Sequence, residues 1–395
     1  MICKTIVEGT TKVSVPVPPP NATFPPSAAA VFYNPEMELN RDINVAATAA
    51  FVERLLSRKE ILREEIRYVD AFSASGIRGL RIAGEVGIHA TMNDWSPDAF
   101  ELIKENIKIN GLEEMTLATR KNANVLLHEQ KFHIVDVDPF GTPSPFMDAA
   151  SASVWGMLSV TATDTAPLCG AHLNAGIRKY AAVPLNTEYH SEMGLRILLG
   201  ACARELAKHE KGMFPLLSHV TRHYVRTYLD VIPGTKQVDR TLKSMGFSIH
   251  CPKCGFRGHV YGLAVHIDRE CPVCGALTKI AGPMWLGPFR EPGFCNEVIS
   301  ELEIHPLNTK DKAKKLITFC RDELDIPMFY DQHVICKELG ASATGIETLI
   351  EAIKAHGFEA SRTHFSGTSF RTDAPIPEIK EIIGALSGST NSIET

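Results

Sequence analysis

The sequence predicts an α/β domain on a mostly parallel sheet, followed by a C-terminal α+β region. Three observations lead there. Between residues 66 and 165 extended apolar runs alternate with helical patterns, and alternation at this density produces a parallel sheet with helices on its faces. Four cysteines stand in two CPxCG turns, "CPKCG" at 251–255 and "CPVCG" at 271–275. Beyond Asn308, three helical stretches precede two short extended pieces, a winged-helix-like pattern.

A chain of 395 residues is too long for one small core, so more than one domain is expected. The change of pattern past residue 230 divides it into residues 1–232 and residues 233–395, with a metal ribbon at about 247–283 and the winged-helix-like part at about 309–395. Hydrophobic content of 44% and charged content of 22% are those of a soluble globular protein. No apolar run reaches the ~18 residues of a membrane span, and "MICKTIVEGTTKV" has no signal-peptide h-region. A cytoplasmic protein with no membrane contact is expected.

Taken in order, "SVPVPPPNATFPP" at 14–26 reads as an extended arm, because proline removes donors and fixes φ. Val45, Ala49, Val52, Leu55 and Leu56 recur at helical spacing, giving a helix over about 42–60. "IRYVDAF" is a strand, and "SASGIRGLRIAGEVG" is a turn entering a helix. "HATMND" is a second strand, and "SPDAFELIKENIKING" is a helix capped by Ser96 and stopped near Gly111. "FHIVDVD", "SPFMDAASASV" and "GMLSVTATDT" add strand, helix and strand. Helices are then expected around 309–324, 331–339 and 343–356, before the extended "FEASRTHF" and "GTSFRTD". In such sheets ligands sit at the carboxyl ends of the strands.

The net charge of −5 does not announce a nucleic-acid binder. Residues 178–257 nevertheless hold 13 Lys/Arg against 6 Asp/Glu, with five histidines. This is compatible with a local basic surface.

The turn "YVDAFSASGIRG" matches the dinucleotide fingerprint as Ala74-x-Gly76-x-x-Gly79, its first glycine replaced. Small residues let the backbone approach a ligand, and the helix start offers free N–H groups. Asp94, at the end of the second strand, is placed to accept from ribose hydroxyls. Turn and acid together indicate an adenosine-containing cofactor, either a dinucleotide or S-adenosylmethionine. Asp70 inside the first strand resembles the acid of the class I methyltransferase motif, here Asp70-x-Phe72-x-Ala74-x-Gly76.

"DPFG" at 138–141 resembles the Asp/Asn/Ser-Pro-Pro-aromatic motif of amino-group methyltransferases, with an aromatic in place of the second proline. An exocyclic amine conjugated with a base is a poor nucleophile. Asp138 and the Pro139 carbonyl can accept its hydrogens and aim its lone pair, and the carboxylate stabilises the charge that grows on nitrogen. Phe140 offers a stacking surface for an extruded base. Asp136 shares a face with Asp138 and has no role beyond local support.

Cys251-x2-Cys254-x16-Cys271-x2-Cys274 has the spacing of a closed tetrahedral site. Four protein ligands leave no open position, so the expected Zn2+ is structural, iron being possible on the same ligands. The other six of the ten cysteines have no partner spacing.

Together with "FYNPEMELNRD", "DPFGTPSPF" and "VTATDTAPLCG", these motifs make the chain resemble the archaeal tRNA (guanine-26, N2)-dimethyltransferases over nearly its whole length. The resemblance implies a class I, Rossmann-like methyltransferase domain with a C-terminal tRNA-binding region and no obligatory protein partner. It implies that Arg41, Arg78 and Asp94 hold S-adenosylmethionine, and that Asn122 and Ala123 in "KNANV" read the adenine edge. It implies that Asp138 is the catalytic acid and that Phe32 and Phe140 sandwich the target guanine. The Pro-rich stretch is longer than the family's usual arm. Two other readings are a methyltransferase for another nucleic-acid amine and a catalytically silent zinc-ribbon nucleic-acid-binding protein; intact Asp70, Asp94 and Asp138 argue against the silent one.

Overall fold

The computed structural model describes residues 2–17, 31–58 and 60–390, with side chains through residue 387. Most of the Pro-rich stretch, residues 18–26, and Lys59 at the expected end of the first long helix lie outside the described residues.

The chain opens with a hairpin, β1 (Cys3–Glu8) and β2 (Thr11–Pro16). Helix α1 (Glu38–Arg58) follows, starting four residues before the expected Asp42. The alternating part then runs β3 (Arg67–Asp70), α2 (Ile77–Arg81) extended by a π-helical turn, β4 (His89–Asn93), α3 (Pro97–Asn110), β5 (Thr116–Thr119), α4 (Ala123–Glu129), β6 (Phe132–Val137), α5 (Met147–Ser153) and β7 (Val154–Ala162). Ser96 caps α3 by accepting from the Ala99 N–H, and Gly111 closes it in the left-handed region. Helices α6 (Thr165–Leu168), α7 (Leu173–Tyr180) and α8 (His190–Lys208) lead into the long hairpin β8 (Lys211–Thr221) and β9 (Tyr224–Pro233), followed by α9 (Thr235–Leu242).

The central sheet has seven strands in the order β5-β4-β3-β6-β7-β9-β8. The first five are parallel, and β9 and β8 are antiparallel. Alternation along β6 assigns its side chains to two cores. Val135 and Val137 pack with α4, α5 and α8, and Ile134 packs with α1 on the other face.

Strands β10 (Met245–His250), β11 (Arg257–Tyr261) and β12 (Lys279–Trp285) form an antiparallel ribbon in the order β11-β10-β12. Met245, Ala281, Met284 and Trp285 join the same core as α8, so the ribbon is fastened to the α/β domain by shared apolar burial. Helices α10 (Pro292–Ile304) and α11 (Lys310–Asp322) complete the core beneath α1.

The chain ends with β13 (Tyr330–Asp331), α12 (Gln332–Leu339), α13 (Ile346–Ala355), β14 (Ala360–Arg362), β15 (Ser369–Thr372) and α14 (Ile376–Thr390). The strand order β13-β15-β14, with α11 before it and α12 and α13 inside it, is the expected winged-helix-like connection. Its own core includes Leu349, Ile353, Phe370 and Ile379.

The basic stretch 178–257 is not one surface. Arg196, Lys211 and Arg226 are buried, and the Arg257 side chain is 3% exposed. The Lys211 ammonium donates to the carbonyls of Ser151, Ala152 and Val154 at 2.7–3.0 Å. These four cations are bolts of the interior, while Arg178, Lys208, Arg222, Lys236, Arg240, Lys243 and Lys253 stay exposed.

Candidate active site

A cavity of about 640 Å³ opens at the carboxyl ends of the parallel strands. Eight of the expected residues line it: Phe32, Arg41, Asp70, Arg78, Asp94, Asp138, Pro139 and Phe140. Gly76 lies in the turn beneath, with φ +84° as only glycine readily adopts. A Cβ on Gly79 would stand 2.3 Å from Met92 Cγ, so this second glycine permits α2 to pack onto β4. Ala74 takes the left-handed region at φ +48° in place of the missing glycine, a strain of about 1 kcal/mol or more.

Asp94 accepts from the Ala74 and Ser96 N–H groups, each at 2.9 Å. A carboxylate has about four acceptor sites, so two remain open toward the cavity. The structure does not bring Asn122 and Ala123 to the cavity wall. The Asn122 side chain is spent as the cap of α4, accepting from the Asn124 N–H at 2.9 Å, and Ala123 is buried among the helices.

The floor is an ionic lattice. Asp136 accepts from both terminal nitrogens of Arg226 at 2.7 Å and from the Tyr68 hydroxyl at 3.0 Å. Arg78 pairs with Asp138, donates to Asn40 at 2.9 Å, and stands 3.8 Å from Asp136. Burial opposes ionisation of Asp136, but Arg226 and then Arg78 hold its carboxyl below the usual range. Burial pushes the Asp70 carboxyl up to about 7; Arg78 pulls against this, and Asp136 and Asp138 add to it. Arg78 Nη1 is buried and makes no hydrogen bond among the described residues. It faces the Asp136 carboxylate across the 3.8 Å gap. Arg41 is held by Glu8 through Nε at 2.7 Å and Nη2 at 2.6 Å.

Phe32 and Phe140 meet edge to face, with centroids 4.3 Å apart and planes at 79°. In this state they fill the space between them, so a base stacking there must part the rings. Phe140 is 60% exposed, which leaves it free to turn.

Sequence reasoning missed Glu8, Asn40 and Arg226 as supports, and Thr163, Arg222, His223 and Tyr224 as part of the wall. Asp136 and Arg226 are 90 residues apart, and no local pattern connects them. Only the paired acids in "DVD" hinted that cations stood nearby.

Beside the ribbon strands, the Sγ atoms of Cys251 and Cys274 are 3.5 Å apart and those of Cys254 and Cys271 are 3.6 Å apart. All four lie within 4.8 Å of one another. Sulfurs at the vertices of a tetrahedron around zinc stand about 3.8 Å apart, given a Zn–S bond of about 2.3 Å. The two knuckles are alike: the Gly255 and Gly275 N–H groups donate to the carbonyls of Cys251 and Cys271 at 3.0 and 2.9 Å. The thiols therefore fit a closed four-ligand metal site.

Comparison with known proteins agrees with this geometry. The family described as N2,N2-dimethylguanosine tRNA methyltransferase matches residues 9–384. The tRNA (guanine(26)-N(2))-dimethyltransferase of Methanosarcina barkeri is 90% identical over 98% of this chain and all of its own length. The protein of the same name from Methanosarcina acetivorans is 87% identical over 98% of this chain, again over its full length. Among solved structures, Trm1 from Pyrococcus horikoshii in complex with S-adenosyl-L-methionine superposes with a TM-score of 0.84 at 36% identity, covering 96% of this chain and 99% of that one. With the match running from the first hairpin to the last helix, through the cavity and the cysteine knuckles alike, the chain belongs to the N2,N2-dimethylguanosine tRNA methyltransferase family.

Proposed function

We propose that this protein methylates the exocyclic 2-amino group of guanine-26 in tRNA, once or twice, using S-adenosylmethionine. The observation that carries the reading is the Asp138-Pro139-Phe140 strand end opening into the cavity beside the turn at Gly76. S-adenosylmethionine, when bound, supplies an electrophilic methyl group. Arg78 and Asp94 hold its carboxylate and its ribose, Arg41 and Asp70 border it, and the small residues of the turn allow close approach. Asn122 and Ala123 read the adenine only if the start of α4 moves toward the cavity.

Arg78 engages Asp138 Oδ2, leaving Oδ1 to accept the amine N–H while the Pro139 carbonyl accepts the other. Both contacts draw the nitrogen lone pair out of conjugation. As the new C–N bond forms, the methyl–sulfur electron pair stays on sulfur and the amine proton passes to Asp138. After the first transfer one N–H remains, and Asp138 alone holds it. Phe32 and Phe140 part and stack on the guanine. One structural Zn2+ sits on Cys251, Cys254, Cys271 and Cys274. Residues 1–232 perform the chemistry and residues 233–395 hold the tRNA, a substrate that implies a cytoplasmic enzyme; among the described residues no helix is long and apolar enough to cross a membrane.

The test is incubation with unmodified tRNA and methyl-labelled S-adenosylmethionine, followed by digestion to nucleosides. Label is expected on N2 of guanosine, and label on any other atom refutes the assignment. Asp138→Asn should retain cofactor affinity and lose about 100- to 10,000-fold in turnover, the usual range for removal of a general base.

A further inference from the structure

In a winged-helix unit the second inner helix, here α13, is the one expected to meet nucleic acid. Its exposed charges are Glu347, Glu351 and Lys354, one cation against two anions. Helix α11 carries the opposite balance: Lys310, Lys312, Lys314 and Lys315 against Asp311 within its first six residues. Lys310 and Lys314 are drawn to Glu303 at 3.6 and 2.6 Å. Lys312 and Lys315 are exposed and three apart, so they share a face. That face lies opposite the buried Ala313, Ile317 and Cys320. One turn further along it stands Phe319, with the Arg362 guanidinium 5.0 Å above its ring and paired to Glu347 of α13 at 2.9 Å.

The start of α11 is pinned to the rim of the active site. The Thr309 N–H and hydroxyl both donate to Asp42, at 2.9 and 2.7 Å. Asn308 donates to Glu38 at 2.6 Å. Asp42 and Glu38 are immediate neighbours of Arg41 and Met37, which line the cavity.

We propose that Lys312 and Lys315 form a stripe that holds the phosphate backbone of the tRNA as it leaves the active site, and that α11, not α13, is the RNA-contacting helix of this unit. The proposal rests on the tRNA reading above. Its physical basis is charge complementarity with a polyanion, at a place where α11 meets the cavity rim.

The test uses the full-length protein carrying Lys312→Glu and Lys315→Glu, with Lys354→Glu on α13 as the comparison. Neither lysine of the stripe has an ion-pair partner among the described residues, so a folded variant is expected; Lys312→Gln/Lys315→Gln serves if charge reversal unfolds it. Binding of unmodified tRNA is measured from about 50 to 200 mM salt, with KM and kcat for transfer. The double variant should bind tRNA at least about tenfold more weakly, with a logarithmic salt slope smaller by about two. KM should rise more than kcat falls, and Lys354→Glu should shift the slope far less. An unchanged slope and affinity overturn the proposal, as does a larger effect from Lys354→Glu. Loss of heparin binding with tRNA KM intact also overturns it, by marking a general polyanion surface. If the wild-type protein labels N2 of guanosine while the double variant keeps its tRNA affinity, the stripe fails alone. If the wild type labels nothing, the functional reading fails.

Discussion

Replacing Asp136 by alanine removes the centre of the ionic floor. The carboxylate is fully buried and takes two parallel guanidinium hydrogen bonds at 2.7 Å from Arg226. Without it, Arg226 keeps hydrogen bonds to Thr161 and Asn44 and the face of the Tyr228 ring, none of them an anion, and a second buried cation, Arg78, faces the same space. Two charge-assisted hydrogen bonds at about 1.5–3 kcal/mol each give about 3–6 kcal/mol. Removal of one partner of a buried ion pair costs about 3–5 kcal/mol by a separate route. The two agree near about 4 kcal/mol, a large share of the about 5–15 kcal/mol that holds a domain together. The assay is equilibrium urea unfolding followed by circular dichroism and tryptophan fluorescence. The double variant Asp136→Leu/Arg226→Met removes both charges and should recover most of the loss, because an apolar pair avoids the unpaired cation. An Asp136→Ala protein within about 1 kcal/mol of wild type refutes the reasoning. So does a double variant as unstable as the sum of its singles.

Three further outcomes are expected. Phe140→Ala and Phe32→Ala should each lower kcat/KM for tRNA by about five- to a hundredfold, since stacking on one base is worth about 1–3 kcal/mol; isothermal titration should show S-adenosylmethionine affinity little altered, and a loss confined to that affinity would contradict the stacking role. The purified protein should carry zinc at one ion per Cys251–Cys274 cluster by elemental analysis, and chelation or Cys251→Ser should raise amide exchange between residues 251 and 278; exchange indifferent to chelation would count against a structural ion. The third concerns Glu192, which is buried between Arg371 and Arg196. Burial opposes its charge, yet the two cations bring the carboxyl from 4.5 down to about 2. A carboxyl depressed in the folded state adds stability above pH 4.5 and loses it as pH falls toward 2, here on the order of 3 kcal/mol. The stability difference between wild type and Glu192→Gln should therefore shrink across that window, and a difference constant with pH would be inconsistent with the pairing.

The alternating strands and helices were legible because their cause is local. Ser96 and Gly111 bound α3 where capping chemistry requires, and the apolar run of β6 is interior on both faces. The hairpin β8–β9 was not legible: its turn, Arg222-His223, carries no glycine or asparagine, and Arg222 takes φ +52° without either. The buried cations were misread for a related reason. Lys211 and Arg226 find their partners across more than fifty residues, and charge in one dimension carries no mark of such a partner.

By itself, the sequence determined the fold class, the pairing of four cysteines in two knuckles and the strand end at Asp138. Each of these is a short-range property: hydrophobic period, a two-residue gap between thiols, an acid beside a proline. Tertiary structure alone decided what Asp136 is for, because its role exists only where β6, β9 and α1 converge. It also decided that Asn122 caps a helix, that Phe32 and Phe140 rest against each other, and that the lysines of α11 begin at the rim of the site. Such roles depend on which surfaces meet after burial, and the free energy of those meetings is set by distance through space and by desolvation, neither of which is written along the chain.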